Sequence, residues 1–330
     1  MQKPVAVTGA TGFVGGHLLK ALLATGQRVR VLVRDVLRLD PDIIESFATE
    51  TGGLEIIEGD LDNLDALEKL VDGASAVIHC AGAIAARDRD GFFKVNQTGA
   101  QNVARTALDA GIKRFILVSS LAAREPQLSD YAASKRAGEE SVAGIIAKDR
   151  LVIVRPPAVY GPGDEATLPL IRALTKRRAV LPGRADQKIS LIYVKDLALA
   201  LVHLVDGKQV CGAVLEIDDG QDGGYSFKDI VALAGKAQGR QMGLTLLPRA
   251  IVAIAGIVAL AGARLLGRVS VLSPAKVREL YHPDWVANRT PIAGWKPHIR
   301  FQQGFCLTLS WYQQNGWLPG TSMAVKSRDK

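Results

Sequence analysis

The stretch PVAVTGATGFVGGHLL, residues 4–19, decides the fold. A short β-branched run ends in glycines at positions 9, 12 and 15, and a segment of helical period follows at once. Glycine lets the chain turn sharply and lets its backbone approach another group closely. The N–H groups at the start of the helix, and the positive end of its dipole, then converge on one spot that suits an anion. A strand, a glycine turn and a helix in this order predict a loop that cradles the pyrophosphate of a dinucleotide, lined by Gly9, Thr11, Gly12, Phe13, Val14 and Gly15.

The same alternation continues outward from this unit. RVRVLV (28–33), LEIIEG (54–59), SAVIHC (75–80), RFILVSS (114–120) and LVIVR (151–155) are strand-like, and segments 64–72, 92–110 and 130–148 have helical period. Parallel strands need helical crossovers, so the reading is an α/β fold with a doubly wound parallel sheet and a smaller C-terminal lobe. Beyond Arg155 the pattern loosens into PPAVYGPGD and LPGRAD, and LIYVKDLALALVHL then returns to the first domain. The predicted division is 1–157 plus about 189–206 for the nucleotide domain, 158–188 and 207–318 for the lobe, and 319–330 as a frayed polar tail.

With 48% hydrophobic and 22% charged residues, the 330-residue chain has the balance of a globular protein rather than a disordered one. The net charge of +8 suits a phosphorylated cofactor or an anionic surface. The densest basic cluster, Arg172, Lys176, Arg177, Arg178, Arg184 and Lys188, has no interleaved aromatics, and no nucleic-acid partner is expected. Cys80, Cys211 and Cys306 share no disulfide or metal spacing and read as buried thiols. The histidines form no ligand pattern, so no metal is expected. A strand begins directly after residues 1–4 without room for a signal peptide, so a cytoplasmic location is expected.

Further segments fall in order along the chain: Gly59-Asp60-Leu61, His79-Cys80-Ala81-Gly82, Asn96 in KVNQTGAQNV, Ser119-Ser120, Tyr131-x-x-x-Lys135, RPPAVYGPGD (155–164) and IYVKDLA (192–198). With the spacing G-x-x-G-x-x-G, this set resembles the extended short-chain dehydrogenase/reductases of the NAD-dependent epimerase/dehydratase family. The pattern is closest to 3β-hydroxysteroid dehydrogenases and dihydroflavonol reductases. The resemblance implies a Rossmann fold, with Asp60 and Leu61 at the adenine, and Ala81, Gly82 and Pro157 along the cofactor cleft. It also implies that Lys135 holds the nicotinamide ribose, that Asn96 fixes a proton-relaying water, and that two copies pair through long helices. The stretch GWKPHIRFQQGFCLTLSWYQQNGWL (294–318) resembles the C-terminal end of such reductases.

The end of the second strand, Leu32-Val33-Arg34-Asp35, bears on which dinucleotide is favoured. An acidic residue there accepts the ribose hydroxyls of NAD, whereas a 2′-phosphate calls for a cation. Val33 holds the usual acidic position and Arg34 follows, with Arg38 as a second contact, so NADP(H) is favoured and NAD stays open.

Tyr131 and Lys135, four apart on a helix, share one face. A neighbouring ammonium is expected to lower the tyrosine pKa toward working pH and make it a general acid/base. Ser120, separated from Tyr131 by ten residues, would bind the reacting carbonyl oxygen, with Ser119 as the alternative. The reaction read from these residues is ketone–alcohol interconversion.

Two other readings stay open: a nucleotide-sugar epimerase or dehydratase, and a non-catalytic accessory subunit, although such relatives tend to lose the Tyr/Lys pair. In the epimerase pattern an asparagine and an arginine hold the diphosphate; here those places are Ala158 and Ile189, with Arg184 and Lys188 as substitutes. The 14 residues from Ala250 to Ala263 carry no charge and lie between Arg249 and Arg264, followed by Leu265-Leu266. As a helix they span about 21 Å, short of the roughly 30 Å needed to cross a bilayer. Segment 250–266 therefore reads either as a buried helix lining an apolar pocket, which is favoured, or as a peripheral membrane contact. Both point to a hydrophobic small-molecule substrate.

Overall fold

The computed structural model describes residues 2–47, 53–205, 212–265 and 273–319. Strands β1 (Val5–Thr8), β2 (Val29–Val33), β3 (Leu54–Glu58), β4 (Ala76–His79), β5 (Phe115–Val118) and β6 (Leu151–Arg155) alternate with helices. The helices are α1 (Phe13–Ala24), α2 (Pro41–Phe47), α3 (Leu64–Val71), α4 (Arg89–Phe93), α5 (Ala100–Asp109) and α6 (Asp130–Ala143). Later come β7 (Ala158–Tyr160), α7 (Leu168–Ala173), β8 (Arg178–Pro182), β9 (Lys188–Ile189), β10 (Leu191–Tyr193), α8 (Val194–Val205) and β11 (Ala213–Glu216). The chain closes with α9 (Phe227–Ala237), β12 (Gly243–Leu247), α10 (Arg249–Leu265), α11 (Pro274–Leu280), β13 (Asp284–Trp285) and α12 (Phe301–Gln314).

Seven strands form one parallel sheet in the order β11-β6-β5-β4-β1-β2-β3. The inner strands β1, β4 and β5 are buried at every position, because helices cover both faces. On one face Leu18, Leu19 and Leu22 of α1 pack with Leu197, Leu201 and Leu204 of α8. On the other, Leu67 and Leu70 of α3 pack with Val103 and Ala107 of α5 and Val142 of α6. The doubly wound Rossmann architecture expected from the alternation is the architecture observed.

The segment 213–216, assigned from sequence to the lobe, is the seventh strand of this sheet, paired with β6 in register Ala213↔Val152 to Glu216↔Arg155. Four residues following a long break carry too little periodicity to reveal such pairing. Its last residue joins a buried charge network: Arg155 meets Glu139 of α6 in two hydrogen bonds of 2.8 and 2.5 Å and lies 3.6 Å from Glu216. The network ties α6 to the sheet edge.

The lobe has its own core, in which Tyr160 packs on Tyr193 and Phe301 at ring-centroid distances of 5.7 and 5.6 Å. Gly304 of α12 permits this, since a methyl group there would stand 2.3 Å from the Tyr160 hydroxyl oxygen. Asp196 of α8 accepts the His298 and Ile299 N–H groups at 3.0 and 2.8 Å and so fixes the chain leading into α12.

Helix α10 departs from the burial expected for it. Among its described side chains only Val252 and Gly256 are buried, with Val252 in a small cluster with Val277 and Tyr281, while Ile251, Ile254, Ile257 and Val258 are 55%, 64%, 58% and 65% exposed. Among the described residues no helix is long and apolar enough to cross a membrane. Residues 320–330, read as a frayed tail, lie outside the described residues, as does Cys211. Cys306 is exposed rather than buried, because α12 turns that position outward.

Candidate active site

The strand order reverses between β1 and β4, and the C-terminal ends of strands at such a point are where an open α/β sheet forms its ligand crevice. Gly9 leaves β1 with φ +79°, and a methyl group there would stand 2.6 Å from the Ala81 nitrogen. Gly15 is as confined, since its added methyl would lie 1.9 Å from the Gly9 oxygen. Gly12 donates to the Gly9 carbonyl at 3.0 Å and caps α1, whose first turn carries no acidic residue to compete with an anion. Thr11, Phe13 and Val14 are half-buried around this turn. The glycines therefore hold the backbone in a shape that suits a pyrophosphate.

At the end of β2, Val33 is buried and Arg34 and Arg38 are exposed, neither in an ion pair with a described residue. Asp35 is committed elsewhere, because its carboxylate accepts the Leu37 N–H at 3.0 Å and caps the turn that follows. Beyond β3, Asp60 accepts the Asp62 N–H at 2.9 Å, and the Leu61 carbonyl accepts from Asn102 at 2.9 Å.

The other end of the crevice gathers the residues with acid/base chemistry. Lys135 is buried and donates to the Val118 carbonyl at 2.9 Å. Ser120 caps a short turn over Leu121–Arg124, its hydroxyl accepting the Ala122 N–H at 3.2 Å, and this turn spans the short interval to α6. Tyr131 has Ser120 as a hydrogen-bonding neighbour that works to lower its pKa, and its ring lies 6.2 Å from that of Phe92. Asn96 sits in a π-helical turn over Lys94–Gly99, a local widening often found at functional sites. Its side chain accepts the Ala83 N–H at 2.8 Å and donates to the Ala83 carbonyl at 3.0 Å and to Ser134 at 2.9 Å. Gly82 keeps the space beside these groups open: a methyl there would stand 3.2 Å from Asn96 Oδ1 and 3.5 Å from Lys135 Nζ. Pro157 is buried just beyond β6, beside the Pro156 carbonyl that accepts the Leu121 N–H at 2.8 Å.

Burial governs the protonation of this cluster. It pushes the Tyr131 hydroxyl up to about 12; hydrogen bonding to Ser120 opposes the shift and the Glu279 carboxylate adds to it. The lowered tyrosine pKa expected from the i, i+4 lysine is thus not what the chain alone produces: burial raises it, and the Lys135 ammonium donates to the Val118 carbonyl instead. Lys135 itself is lowered by burial. Burial and then the Lys135 charge bring His79 down to about 3, leaving a neutral imidazole with Nδ1 bonded to the Thr8 hydroxyl at 2.8 Å. Burial also raises Cys80 to about 11. The Ser119 hydroxyl is buried with no described partner, whereas Ser120 is the serine whose side chain lowers the pKa of Tyr131.

Several supporting residues escaped the sequence reading. Ser134 orients Asn96, Thr8 and His79 join β1 to β4, and Glu279 of α11 accepts from Ser129, the N-cap of α6, while pairing with Lys276 at 2.7 Å. Glu279 lies 150 residues from Ser129 in the chain, so local pattern could not connect them.

The pattern of the NAD dependent epimerase/dehydratase family matches residues 5–216. The chain belongs to that family. Members of the epimerase/dehydratase family use a nicotinamide dinucleotide on CH–OH groups, and this chain is an NAD(P)-dependent enzyme of that class. It is 43% identical to a ceramide reductase of Caulobacter vibrioides, over 97% of this chain and 98% of the relative. It is 30% identical to a UDP-glucose 4-epimerase of Vibrio cholerae, over 67% of this chain and 72% of the relative. A decarboxylating sterol-4-alpha-carboxylate 3-dehydrogenase of Saccharomyces cerevisiae is 23% identical, over 94% and 98%. Among solved structures, MoeE5 in complex with UDP-glucose and NAD superimposes with a TM-score of 0.68 at 22% identity, covering 94% of this chain and 99% of that one. That likeness is one of fold.

Proposed function

We propose that the chain is an NADP(H)-dependent oxidoreductase that interconverts a ketone and a secondary alcohol on an apolar, ceramide-like lipid. The observation that carries this reading is Tyr131, whose hydroxyl burial keeps protonated with Ser120 as a hydrogen-bonding neighbour, one helical turn before Lys135, whose ammonium borders the space that Gly82 keeps open. A neutral phenol is a proton donor, which suits carbonyl reduction. When bound, the reduced nicotinamide supplies hydride to the carbonyl carbon. Tyr131 gives its proton to the carbonyl oxygen, and Ser120 stabilises the charge growing there. Lys135 holds the nicotinamide ribose, and Asn96 positions a water that returns a proton toward Tyr131. The residues at the glycine turn and Gly82 fit such a group, and Arg34 and Arg38, without an ion pair among the described residues, offer charge-assisted hydrogen bonds to a 2′-phosphate.

The substrate class is supported by the full-length similarity to a ceramide reductase. An amide carbonyl is resonance-stabilised and a poor hydride acceptor, so the group reduced on such a lipid would be a ketone. Against a sugar nucleotide, Ala158 and Ile189 supply no side-chain donor to a diphosphate. The substitute cations are already engaged, Arg184 by Asp186 at 2.7 Å and Lys188 by Asp229 at 3.7 Å.

The test follows absorbance of the reduced nicotinamide, with NADPH and NADH in parallel, against long-chain keto-lipids, steroid ketones and UDP-sugars. Turnover of an apolar ketone with NADPH is expected. Epimerisation of UDP-sugars without activity on apolar ketones would overturn the reading.

A further inference from the structure

We propose that α10 is the face by which this enzyme docks on an anionic lipid bilayer surface. The inference goes beyond the catalytic reading and holds whatever the substrate is.

Helix α10 rests on the protein by one narrow edge. Val252 packs against Val277 and Tyr281, and Gly256 brings the helix close to α11, since a methyl at Gly256 would stand 3.4 Å from Val277. The opposite side turns Ile251, Ile254, Ile257 and Val258 to the outside, with Ala250, Ala255 and Ala259 between them, and no charge interrupts the sequence from 250 to 263. At helical spacing these residues form one continuous apolar stripe. In water such a stripe is costly, at roughly 25 cal/mol per Å².

Size and charge identify what covers it. A helix of 17 residues is about 25 Å long and about 10 Å wide, so its outer face offers on the order of 250 Å². A second protein copy would need roughly 800 Å² from each partner for a stable complex. A lipid surface makes no such demand, because an interfacial helix binds by sinking roughly 5–10 Å into the headgroup boundary. At the start of the helix, exposed Arg249 forms no ion pair with a described residue, and the whole chain carries +8. A free cation beside an apolar stripe complements anionic headgroups rather than zwitterionic ones. Docking would also place the membrane close to the catalytic helix: α11, which supports α10, carries the Glu279 that bonds the N-cap of α6.

The full-length protein is sedimented with vesicles of phosphatidylcholine alone and of phosphatidylcholine with phosphatidylglycerol. Melting temperature, NADPH binding and mass by light scattering are measured on the same samples. The wild type is expected to bind the anionic vesicles. The double variant Ile254→Gln/Ile257→Gln should lose at least about tenfold in partitioning, with unchanged melting and NADPH binding. The single variant Val258→Asn provides the same readout if the double variant melts early. Arg249→Gln should weaken binding to anionic vesicles by about fivefold and leave phosphatidylcholine unaffected. The proposal is overturned if the wild type stays in the supernatant with anionic vesicles, or if folded stripe variants partition as it does. It is equally overturned if those variants convert a dimer to a monomer while vesicle binding is unchanged.

Discussion

Helices α6 and α10 place opposite kinds of residue in opposite places. In α6 the buried positions include Ser134, Lys135 and Glu139, a hydroxyl, an ammonium and a carboxylate, whereas α10 leaves three isoleucines and a valine outside. Each polar group of α6 has a partner that repays its desolvation: Lys135 the Val118 carbonyl, Ser134 Asn96, and Glu139 the Arg155 guanidinium. The stripe on α10 has no partner within the described chain. Partnered buried polarity suits the rigid site proposed at α6, and unpartnered exposed apolarity suits the lipid face proposed at α10.

The contrast can be broken first at Tyr131. Tyr131→Phe keeps the ring and removes the proton, so turnover should fall by roughly 10²- to 10⁴-fold while NADPH affinity stays close to normal. Steady-state kinetics and cofactor titration check both parts, and near-normal turnover would remove Tyr131 from the mechanism. The wild-type pH profile sharpens the same point. With the phenol raised to about 12, the free enzyme holds its proton at neutral pH. Then kcat/KM for reduction should be flat from about pH 6 to 9, while the oxidative direction, which starts from phenolate, rises by up to about tenfold per pH unit. An oxidative profile already level near neutrality would show that the tyrosine is ionised there.

Next in size is the charge network under α6. Glu139→Ala leaves Arg155 buried with only the more distant Glu216, and unfolding by denaturant should show a loss of about 3–5 kcal/mol. A loss below about 1 kcal/mol would mean that water reaches the guanidinium.

At the cofactor's far end Arg34→Ala should weaken NADPH by about 1.5–3 kcal/mol and leave NADH nearly unchanged. Binding isotherms for the two dinucleotides settle it, and equal effects would reject the phosphate contact. The smallest effect is expected on α10, where Ile251→Gln should change unfolding free energy by no more than about 0.5 kcal/mol. A loss of several kcal/mol would show that the helix is buried in solution, and the contrast with α6 would then collapse.

Much of this was legible beforehand, for a physical reason. Glycines at 9, 12 and 15 and the alternating apolar runs encode strand, turn and helix through local sterics and periodicity, so the doubly wound sheet could be read residue by residue. The i, i+4 placement of Tyr131 and Lys135 is likewise local. What local pattern could not supply is the environment: it predicted a lowered tyrosine pKa, where burial raises it, and it favoured a buried helix at 250–266, where the stripe faces outward.

The sequence by itself thus determined which elements form and which chemical groups the chain carries, because both depend on neighbours a few residues apart. Only the tertiary structure decided that 213–216 completes the sheet, that the Ser119 hydroxyl is buried with no described partner, and that Glu279 reaches Ser129 across 150 residues. Those outcomes, like the protonation of a half-buried phenol, depend on which distant groups exclude water from one another. Exclusion of water is a property of packing and cannot be read from any short window of the chain.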